Sequence, residues 1–314
     1  FFFFGIAPVA AFICFWLSCL SRSISLRFSL VAIYACHSGI AAARCNPNSN
    51  YNSMPSKKPI IIFCHGSGDT GPGVAQWVQS LIPSQHIYDI FQWEFPSATP
   101  IPYQLSGGVV SSVWYDRKGG FEPTYPELTA SVERSTEQLM KLINDLLSQK
   151  KKEGLHFSAS QITIGGFSMG GAIALQTATR WHHLHPENPL GGVFGLSCYL
   201  NDDSKVWELL QETAALSSSP SSKSWPSTFM AHGASDDFIL PKWGESTWDR
   251  IQSAGVNGSF KLISHTEHEL TQEVISDVLE FIVSNSKMLK HEESEEMSCE
   301  ATNQETKARA LGLF

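Results

Sequence analysis

The sequence predicts an α/β domain in which helices cover both faces of a mostly parallel central sheet. Short runs rich in β-branched residues alternate with helical patterns, and this alternation is typical of parallel strands joined by helices. The runs IIIF, ITIG and GVFGL are apolar at successive positions, as expected of strands buried on both faces. Residues 125–153 place their leucines and isoleucine largely on one helical face, with Glu and Lys between them.

Six strands and six helices are predicted along the chain. The strands are expected at residues 59–64, 87–95, 161–165, 192–196, 227–231 and 259–263. The helices are expected at residues 74–81, 125–153, 169–182, 204–216, 241–254 and 271–284. Pro241 suits the first turn of the fifth helix, and Asn257-Gly258 supplies a turn before the last strand.

One catalytic-sized domain is expected at residues 59–286 of the 314. Residues 1–45 form a hydrophobic extension. It is interpreted as a membrane anchor or targeting segment, or as upstream sequence in an incomplete gene model. A third interpretation, that it adds to the hydrophobic core of the domain, is less favoured. Membrane association is therefore left open. Residues 46–58 are expected to be a polar linker, and residues 287–314 a disordered charged tail.

Composition excludes some classes of function. The formal net charge is -8 and no basic stripe is present, which argues against a nucleic-acid partner. Of the 7 cysteines, Cys64 and Cys198 fall in the predicted domain, both in apolar runs, and this is no disulfide framework. A reducing, cytoplasmic location is expected.

The sequence ITIGGFSMGGAIAL carries the strongest chemical signal. A buried strand runs into Gly166-Phe167-Ser168-Met169-Gly170 and then into an apolar helix. A nucleophilic serine on such a tight turn needs glycine two residues before and after it, so that strand and helix can pass closely. Ser168 is therefore predicted to be a nucleophile; the alternative is a glycine-rich turn with an inert serine.

A serine nucleophile needs a general base and an orienting carboxylate, which in this strand-turn-helix context follow in the order Ser, Asp, His. Asp236 and Asp237 follow the strand TFMA, and His265 and His268 follow the strand FKLI. The alternatives are a helix N-cap for the acids and solvated loop positions for the histidines.

An oxyanion hole needs two backbone N–H groups, one from the residue after the nucleophile and one from a loop after an early strand. Met169 is the candidate for the first and Ser67, in HGSGDTG after the strand IIIFC, for the second. The glycine-rich loop lacks the Gly-Lys-Ser/Thr ending of a phosphate-binding loop, which leaves a plain turn as the alternative.

Together, IIIFCHGSGDTGPG, SVWYDR, IGGFSMGGAIAL, HGASDD and the closing HEL resemble the acyl-protein thioesterase and lysophospholipase family. The resemblance implies an α/β-hydrolase fold with Ser168 as nucleophile, Asp236 as acid and His268 as base, and Ser67 and Met169 at the oxyanion hole. It implies hydrolysis of acyl thioesters on proteins, or of lysophospholipids and small esters, without metal or cofactor.

Two departures from the family bear on substrate choice. Long-chain thioesterases of the family have Gln at the position of Met169, and SSVWYDRKGGFEPTYP differs where members shape the acyl channel. Trp114 and Tyr115 are candidates to line that channel, or else are ordinary core aromatics. The competing functions are a short-chain carboxylesterase and a catalytically silent hydrolase-fold binding protein.

Overall fold

The computed structural model describes residues 58–216 and 225–286. The predicted N-terminal extension, the linker up to residue 57 and the charged tail lie outside the described residues, so the predictions made for them stay predictions. No helix in the two described stretches is both long and apolar enough to cross a bilayer.

A parallel sheet forms the centre of the domain. The strands of the described residues are β1 (Ile60–Cys64), β2 (Gln92–Glu94), β3 (Ile101–Tyr103), β4 (Val109–Ser111), β5 (Ile162–Phe167), β6 (Gly192–Leu196), β7 (Thr228–Gly233) and β8 (Gly258–Ile263). Six of them form one sheet in the order β2-β1-β5-β6-β7-β8, and all neighbours are parallel. β3 and β4 pair separately as an antiparallel hairpin.

Helices connect these strands. They are α1 (Gly71–Leu81), α2 (Gln85–Asp89), α3 (Thr129–Lys152), α4 (Met169–Leu184), α5 (Lys205–Leu216), α6 (Pro241–Ser253) and α7 (Gln272–Asn285). Thr70 and Thr271 cap α1 and α7, because each side chain accepts a hydrogen bond from a backbone N–H of the first turn.

The sheet buries side chains on both faces. Ile60, Ile62 and Cys64 alternate along β1 and pack in the same core as residues of α3 and α4. The ring of Phe63, which points the other way along β1, lies 5.4 Å from that of Phe194. On β7, Phe229 stacks at 5.7 Å on Phe281 of α7. The predicted fold class, a parallel sheet with helices on both faces, is confirmed.

Local departures from the prediction have local causes. The strand predicted at residues 87–95 is shortened to β2, because Ser84 caps the short helix α2 through its hydroxyl, which accepts from the N–H of Ile87 at 3.4 Å. The hairpin of β3 and β4 was not predicted, because each strand has only three residues. β3 alternates between buried and exposed positions, but β4 exposes Val109 and Val110 at 63% and 64% and shows no such alternation.

The helix predicted from residue 125 begins at Thr129. Pro126 disfavours the helical conformation at the residue before it. Glu127 forms an isolated antiparallel bridge with Arg117 in place of helix. The amphipathic pattern thus identified the helix, but it did not locate the first residue.

Candidate active site

Ser168 occupies a strained turn between β5 and α4. Its backbone has φ 55 and ψ -124, in a region that residues with a Cβ rarely adopt. The Ser168 N–H donates to the carbonyl oxygen of Leu196 on β6 at 2.8 Å, which ties the turn to the neighbouring strand. Flanking glycines permit the turn, because a Cβ at Gly166 would lie 2.4 Å from the Cys64 carbonyl oxygen. The hydroxyl is consequently held at the carboxyl edge of the sheet.

His268 lies between Ser168 and Asp236. Its Nε2 is 3.0 Å from Ser168 Oγ, and its Nδ1 is 2.7 Å from Asp236 Oδ2. The three residues follow β5, β7 and β8, and parallel strands end at the same edge of a sheet. Residues separated by up to 100 positions are therefore brought into one hydrogen-bonded chain.

The carboxylate of Asp236 is buried and its orientation is fixed. Its residue exposure is 3%, and Oδ1 accepts backbone hydrogen bonds from Phe238 at 3.1 Å and Ile239 at 2.8 Å. Oδ2 is left to face His268. The loop between β7 and α6 therefore aims one carboxylate oxygen at the imidazole.

The neighbouring acid and histidine lie apart from this chain. Asp237 is exposed, and so is His265, which has a φ of 57. Neither side chain takes part in the hydrogen bonds that join Ser168, His268 and Asp236. Of the sequence-predicted candidates, the structure brings together Ser168, Asp236 and His268.

A second histidine approaches Asp236 and was not singled out from the sequence. His232, at the end of β7, is 1% exposed, and its Nε2 lies 2.8 Å from the Ile239 carbonyl oxygen and 3.3 Å from Asp236 Oδ2. Burial lowers the pKa of His232, so the ring is neutral and the Nε2–H donates to these oxygens. The sequence signal was present in the His-Gly pair that directly precedes the acid loop.

The two predicted oxyanion donors stand beside Ser168. Met169 begins α4, and Ser67 lies in the loop after β1; both line the same cavity as Ser168. His65 holds that loop: its Nε2 accepts from the N–H of Ala98 at 3.0 Å, which leaves Nδ1 to donate to the Gly66 carbonyl oxygen at 2.7 Å. Burial lowers the pKa of His65, so this neutral tautomer is retained.

The cavity above the nucleophile is small. It has a volume of ≈ 320 Å³, near the lower end of the range of roughly 300–1,000 Å³ for small-molecule sites. Its lining comprises Gly66, Ser67, Asp69, Trp77, Arg117, Phe121, Phe167, Ser168, Met169, Ala172, Ser197, Cys198, Tyr199, Phe238, Ile239 and His268. Burial raises the pKa of the Cys198 thiol to about 12, so it contributes an apolar surface and not a thiolate.

Trp114 and Tyr115 do not line this cavity, which corrects the expectation that they form an acyl channel. Trp114 is 0% exposed, and its Nε1 donates to the carbonyl oxygen of His65 at 2.9 Å. Tyr115 is buried, and its hydroxyl accepts from Arg117. Both are core aromatics, because their side chains point into the interior of the domain. Arg117, two residues after Tyr115, lines the cavity instead.

Aromatic residues that the sequence did not single out surround the imidazole. Phe238 is 51% exposed, and its ring lies 5.2 Å from His268 and 5.0 Å from Phe121. Phe167 contacts the imidazole at 4.7 Å. Phe238 follows the acid pair directly, and an apolar residue at that place in a polar loop was the available signal. In the described stretches, no group of three or more His, Cys, Asp or Glu side chains is arranged to hold a metal ion.

Comparisons with known proteins agree with this arrangement of elements. The profile of the family described as Phospholipase/Carboxylesterase matches residues 51–286. Lysophospholipase-like protein 1 of Mus musculus is 30% identical over 224 residues, which cover 71% of this chain and 85% of that protein. The pairing of HGSGD with GFSMGG likewise resembles this protein.

Two solved structures share the fold. The crystal structure of Zea mays acyl-protein thioesterase 2 has a TM-score of 0.58 and 25% identity, covering 77% of this chain and 96% of that one. That of Arabidopsis thaliana SOBER1 has a TM-score of 0.59 and 22% identity, covering 73% of this chain and 99% of that one, and shows the fold alone.

Proposed function

Since the chain belongs to the Phospholipase/Carboxylesterase family, we propose that it is a serine hydrolase that cleaves acyl thioesters and acyl esters with Ser168, His268 and Asp236. The observation that carries the proposal is the hydrogen-bonded chain from Ser168 Oγ through His268 to Asp236, with distances of 3.0 Å and 2.7 Å. The strained φ of 55 at the serine supports it, since strain of this kind is concentrated at functional sites.

In the proposed acylation step, His268 Nε2 takes the proton from Ser168 Oγ while Oγ attacks the carbonyl carbon of the substrate. The backbone N–H groups of Ser67 and Met169 hold the negative charge that develops on the carbonyl oxygen. Asp236 accepts the Nδ1–H of His268 and stabilises the imidazolium. The imidazolium then returns its proton to the leaving thiolate or alkoxide, which leaves Ser168 acylated.

Water completes the cycle in the same geometry. His268 removes a proton from water, the resulting hydroxide attacks the acyl carbon, and the bond to Ser168 Oγ breaks as the serine regains the proton. The products are a carboxylic acid and the free enzyme.

Acyl groups on protein cysteines or on small esters are the proposed substrates. The support is the likeness to proteins named acyl-protein thioesterase and lysophospholipase-like. The small cavity favours the related possibility of a short-chain carboxylesterase. We place the protein in the cytoplasm, because Cys64 and Cys198 are buried free thiols.

The test compares the wild-type chain with Ser168→Ala. Each is incubated with a fluorophosphonate probe and assayed with 4-nitrophenyl butyrate and a butyryl thioester. We expect labelling and turnover by the wild type, and loss of both in Ser168→Ala with unchanged thermal unfolding. Equal turnover by the two proteins would show that Ser168 is not the nucleophile. A folded wild type that neither labels nor turns over would contradict the proposal and favour the silent binding protein.

A further inference from the structure

Arg117 is a buried cation in the wall of the catalytic cavity. It is 7% exposed and lines the cavity together with Ser168 and Met169. Its guanidinium donates from Nη1 to the hydroxyl of Tyr199 at 2.7 Å and from Nη2 to the hydroxyl of Tyr115 at 2.9 Å. These acceptors hold the guanidinium in one orientation at the cavity wall.

The charge of Arg117 has no anionic partner in the described residues. None of their carboxylates forms a salt bridge with it, and its Nε has no hydrogen-bond partner there. Burial raises the pKa of Tyr115 and of Tyr199. The positive charge of Arg117 lowers the same pKa values by less, so both hydroxyls stay neutral. A buried charge is costly unless it is paired, and the rings of these tyrosines, each with its centroid 5.0 Å away, compensate only in part.

The position of Arg117 indicates which end of a substrate it meets. The cavity lining is buried at Arg117, Cys198 and Tyr199, and it is exposed at Ser67 and Phe238. A leaving group, above all a protein, must depart through the exposed side. The buried side of the lining, which includes Arg117, is then the side available to the acyl chain.

We infer that Arg117 recognises a carboxylate at the far end of a short acyl chain, so that the preferred substrates are thioesters and esters of dicarboxylic acids of the succinyl or glutaryl type. The inference rests on the proposed function and names the substrate class of the same site. The planar guanidinium fits a carboxylate through paired hydrogen bonds. A volume of ≈ 320 Å³ suits a short chain of this kind. The carboxylate takes no part in bond cleavage, so Arg117 determines specificity.

The test is the ratio of kcat/KM for 4-nitrophenyl monoglutarate to that for 4-nitrophenyl valerate, which differ in a terminal carboxylate against a methyl group. We expect the wild type to prefer the glutaryl ester and Arg117→Gln to lower the ratio by about 30-fold or more, as for truncation of one partner of a buried charge pair. Arg250→Gln is the matched control, because Arg250 packs over the ring of Trp207 at 3.7 Å outside the catalytic cavity; its ratio should equal that of the wild type.

Two further measurements make the outcome decisive. Glutaramate and pentanamide also differ only in a terminal carboxylate against a methyl group. Glutaramate should inhibit hydrolysis of 4-nitrophenyl valerate by the wild type at a lower concentration than pentanamide does. This measurement does not require that Arg117→Gln folds. A third ester, 1-butyryl-glycerol 3-phosphate, carries its anion on the leaving group, and its hydrolysis should not depend on Arg117.

The results separate the two proposals. The carboxylate subsite is overturned if Arg117→Gln leaves the kcat/KM ratio unchanged and the two amides inhibit equally. It is also overturned if only hydrolysis of the phosphate ester depends on Arg117. Both results leave the proposed hydrolase activity in place. A wild type that cleaves none of the esters overturns the proposed function as well.

Discussion

Gly170 packs against the end of β1 so closely that a Cβ atom there would lie 2.1 Å from the carbonyl oxygen of Cys64. This distance is far below van der Waals contact, and the obstructing atom belongs to the backbone of a buried strand that cannot move aside. The close approach places the first turn of α4, with the proposed oxyanion donor Met169, directly over the end of the sheet.

The first prediction follows from this contact. Gly170→Ala should lower the free energy of unfolding by about 3 kcal/mol or more, since overpacking against buried backbone is among the most destabilising changes. Denaturant unfolding measures the loss. Gly66→Ala is the control, because its Cβ would meet Phe167 and Ser168 at 3.4 Å and 3.6 Å, which is ordinary contact. A Gly170→Ala protein as stable as the control would show that strand and helix can separate at this point.

The second prediction concerns the choice between neighbouring acids and histidines. Asp236→Asn and His268→Asn should each reduce kcat/KM by roughly four orders of magnitude, because each breaks the hydrogen-bonded chain to Ser168. Asp237→Asn and His265→Asn should change kcat/KM by less than about threefold, because both side chains are exposed and outside that chain.

Asparagine is used at all four positions because it matches aspartate in size, is a polar replacement for histidine and, at His265, tolerates the positive φ of 57. Ester turnover and fluorophosphonate labelling are measured on proteins shown to be folded. Loss of activity in Asp237→Asn or His265→Asn, with activity retained in its neighbour, would reassign the acid or the base.

The third prediction is a preference for short and medium neutral acyl chains over palmitoyl. The cavity of ≈ 320 Å³ is small, and the half-exposed ring of Phe238 contacts Phe121, which lines the same cavity. We expect kcat/KM for 4-nitrophenyl palmitate to be at least about tenfold below that for the butyrate or octanoate, since a chain that leaves the pocket loses its apolar burial. Phe238→Ala should raise the relative rate on the longer chains. Faster cleavage of palmitoyl than of butyryl and octanoyl substrates by the wild type would contradict the prediction.

The fourth prediction is a loss of stability in mild acid. Burial lowers the pKa of His182 to about 4, with neighbouring His183 acting in the same direction, whereas an unfolded histidine titrates near pH 6.5. The unfolded chain therefore binds a proton at His182 that the folded chain does not, so this contribution to stability is present above pH 6.5 and is lost as the pH falls toward 4.

The substitution His182→Phe tests the cause. The histidine is 2% exposed, its Nδ1 has no partner in the described residues, and its ring packs edge-on against Trp225 at 4.3 Å, so phenylalanine can fill the site. The drop in denaturant midpoint between pH 7 and pH 5 should be smaller in His182→Phe than in the wild type. The exposed His156→Phe serves as control. An identical drop in all three proteins would assign the acid sensitivity elsewhere.

The parts of the site that the sequence predicts are those encoded locally. Ser168 is flanked by glycines within a strand and a helix that show their own patterns, and the Asp and His candidates each follow a predicted strand. Each of these signals spans a few residues. The parallel sheet then determines that the three strand ends lie at one edge.

Residues that the sequence analysis missed depend on distant contacts. In the sequence, Arg117 is a single charged residue in a loop. Its position in the cavity wall depends on a hydrogen bond to Tyr199, 82 residues further along the chain. His232 becomes a partner of Asp236 only because the acid loop folds back to offer the Ile239 carbonyl oxygen. The motifs SVWYDR and HGASDD contain these two residues, but a local motif does not specify which distant residue each side chain contacts.

The last prediction separates the two interpretations of Trp114. In the structure its indole N–H donates to the carbonyl oxygen of His65 at 2.9 Å, and His65 in turn holds Gly66 beside the proposed oxyanion donor Ser67. Trp114→Phe keeps most of the buried ring but leaves that carbonyl without its donor, which should cost about 1–3 kcal/mol of stability.

The loosened loop should lower kcat by a similar factor for every acyl length, with KM little changed, because an oxyanion donor acts in the transition state. A channel-lining role would instead shift the preferred acyl length. Trp93→Phe is a matched control, since its Nε1 also donates to a backbone carbonyl at 2.9 Å, that of Tyr88, away from the cavity. It should lose stability while retaining kcat. A changed acyl-length profile in Trp114→Phe, or equal kcat values in the two variants, would contradict the positioning role, because neither result is expected if Trp114 acts through the loop that carries Ser67.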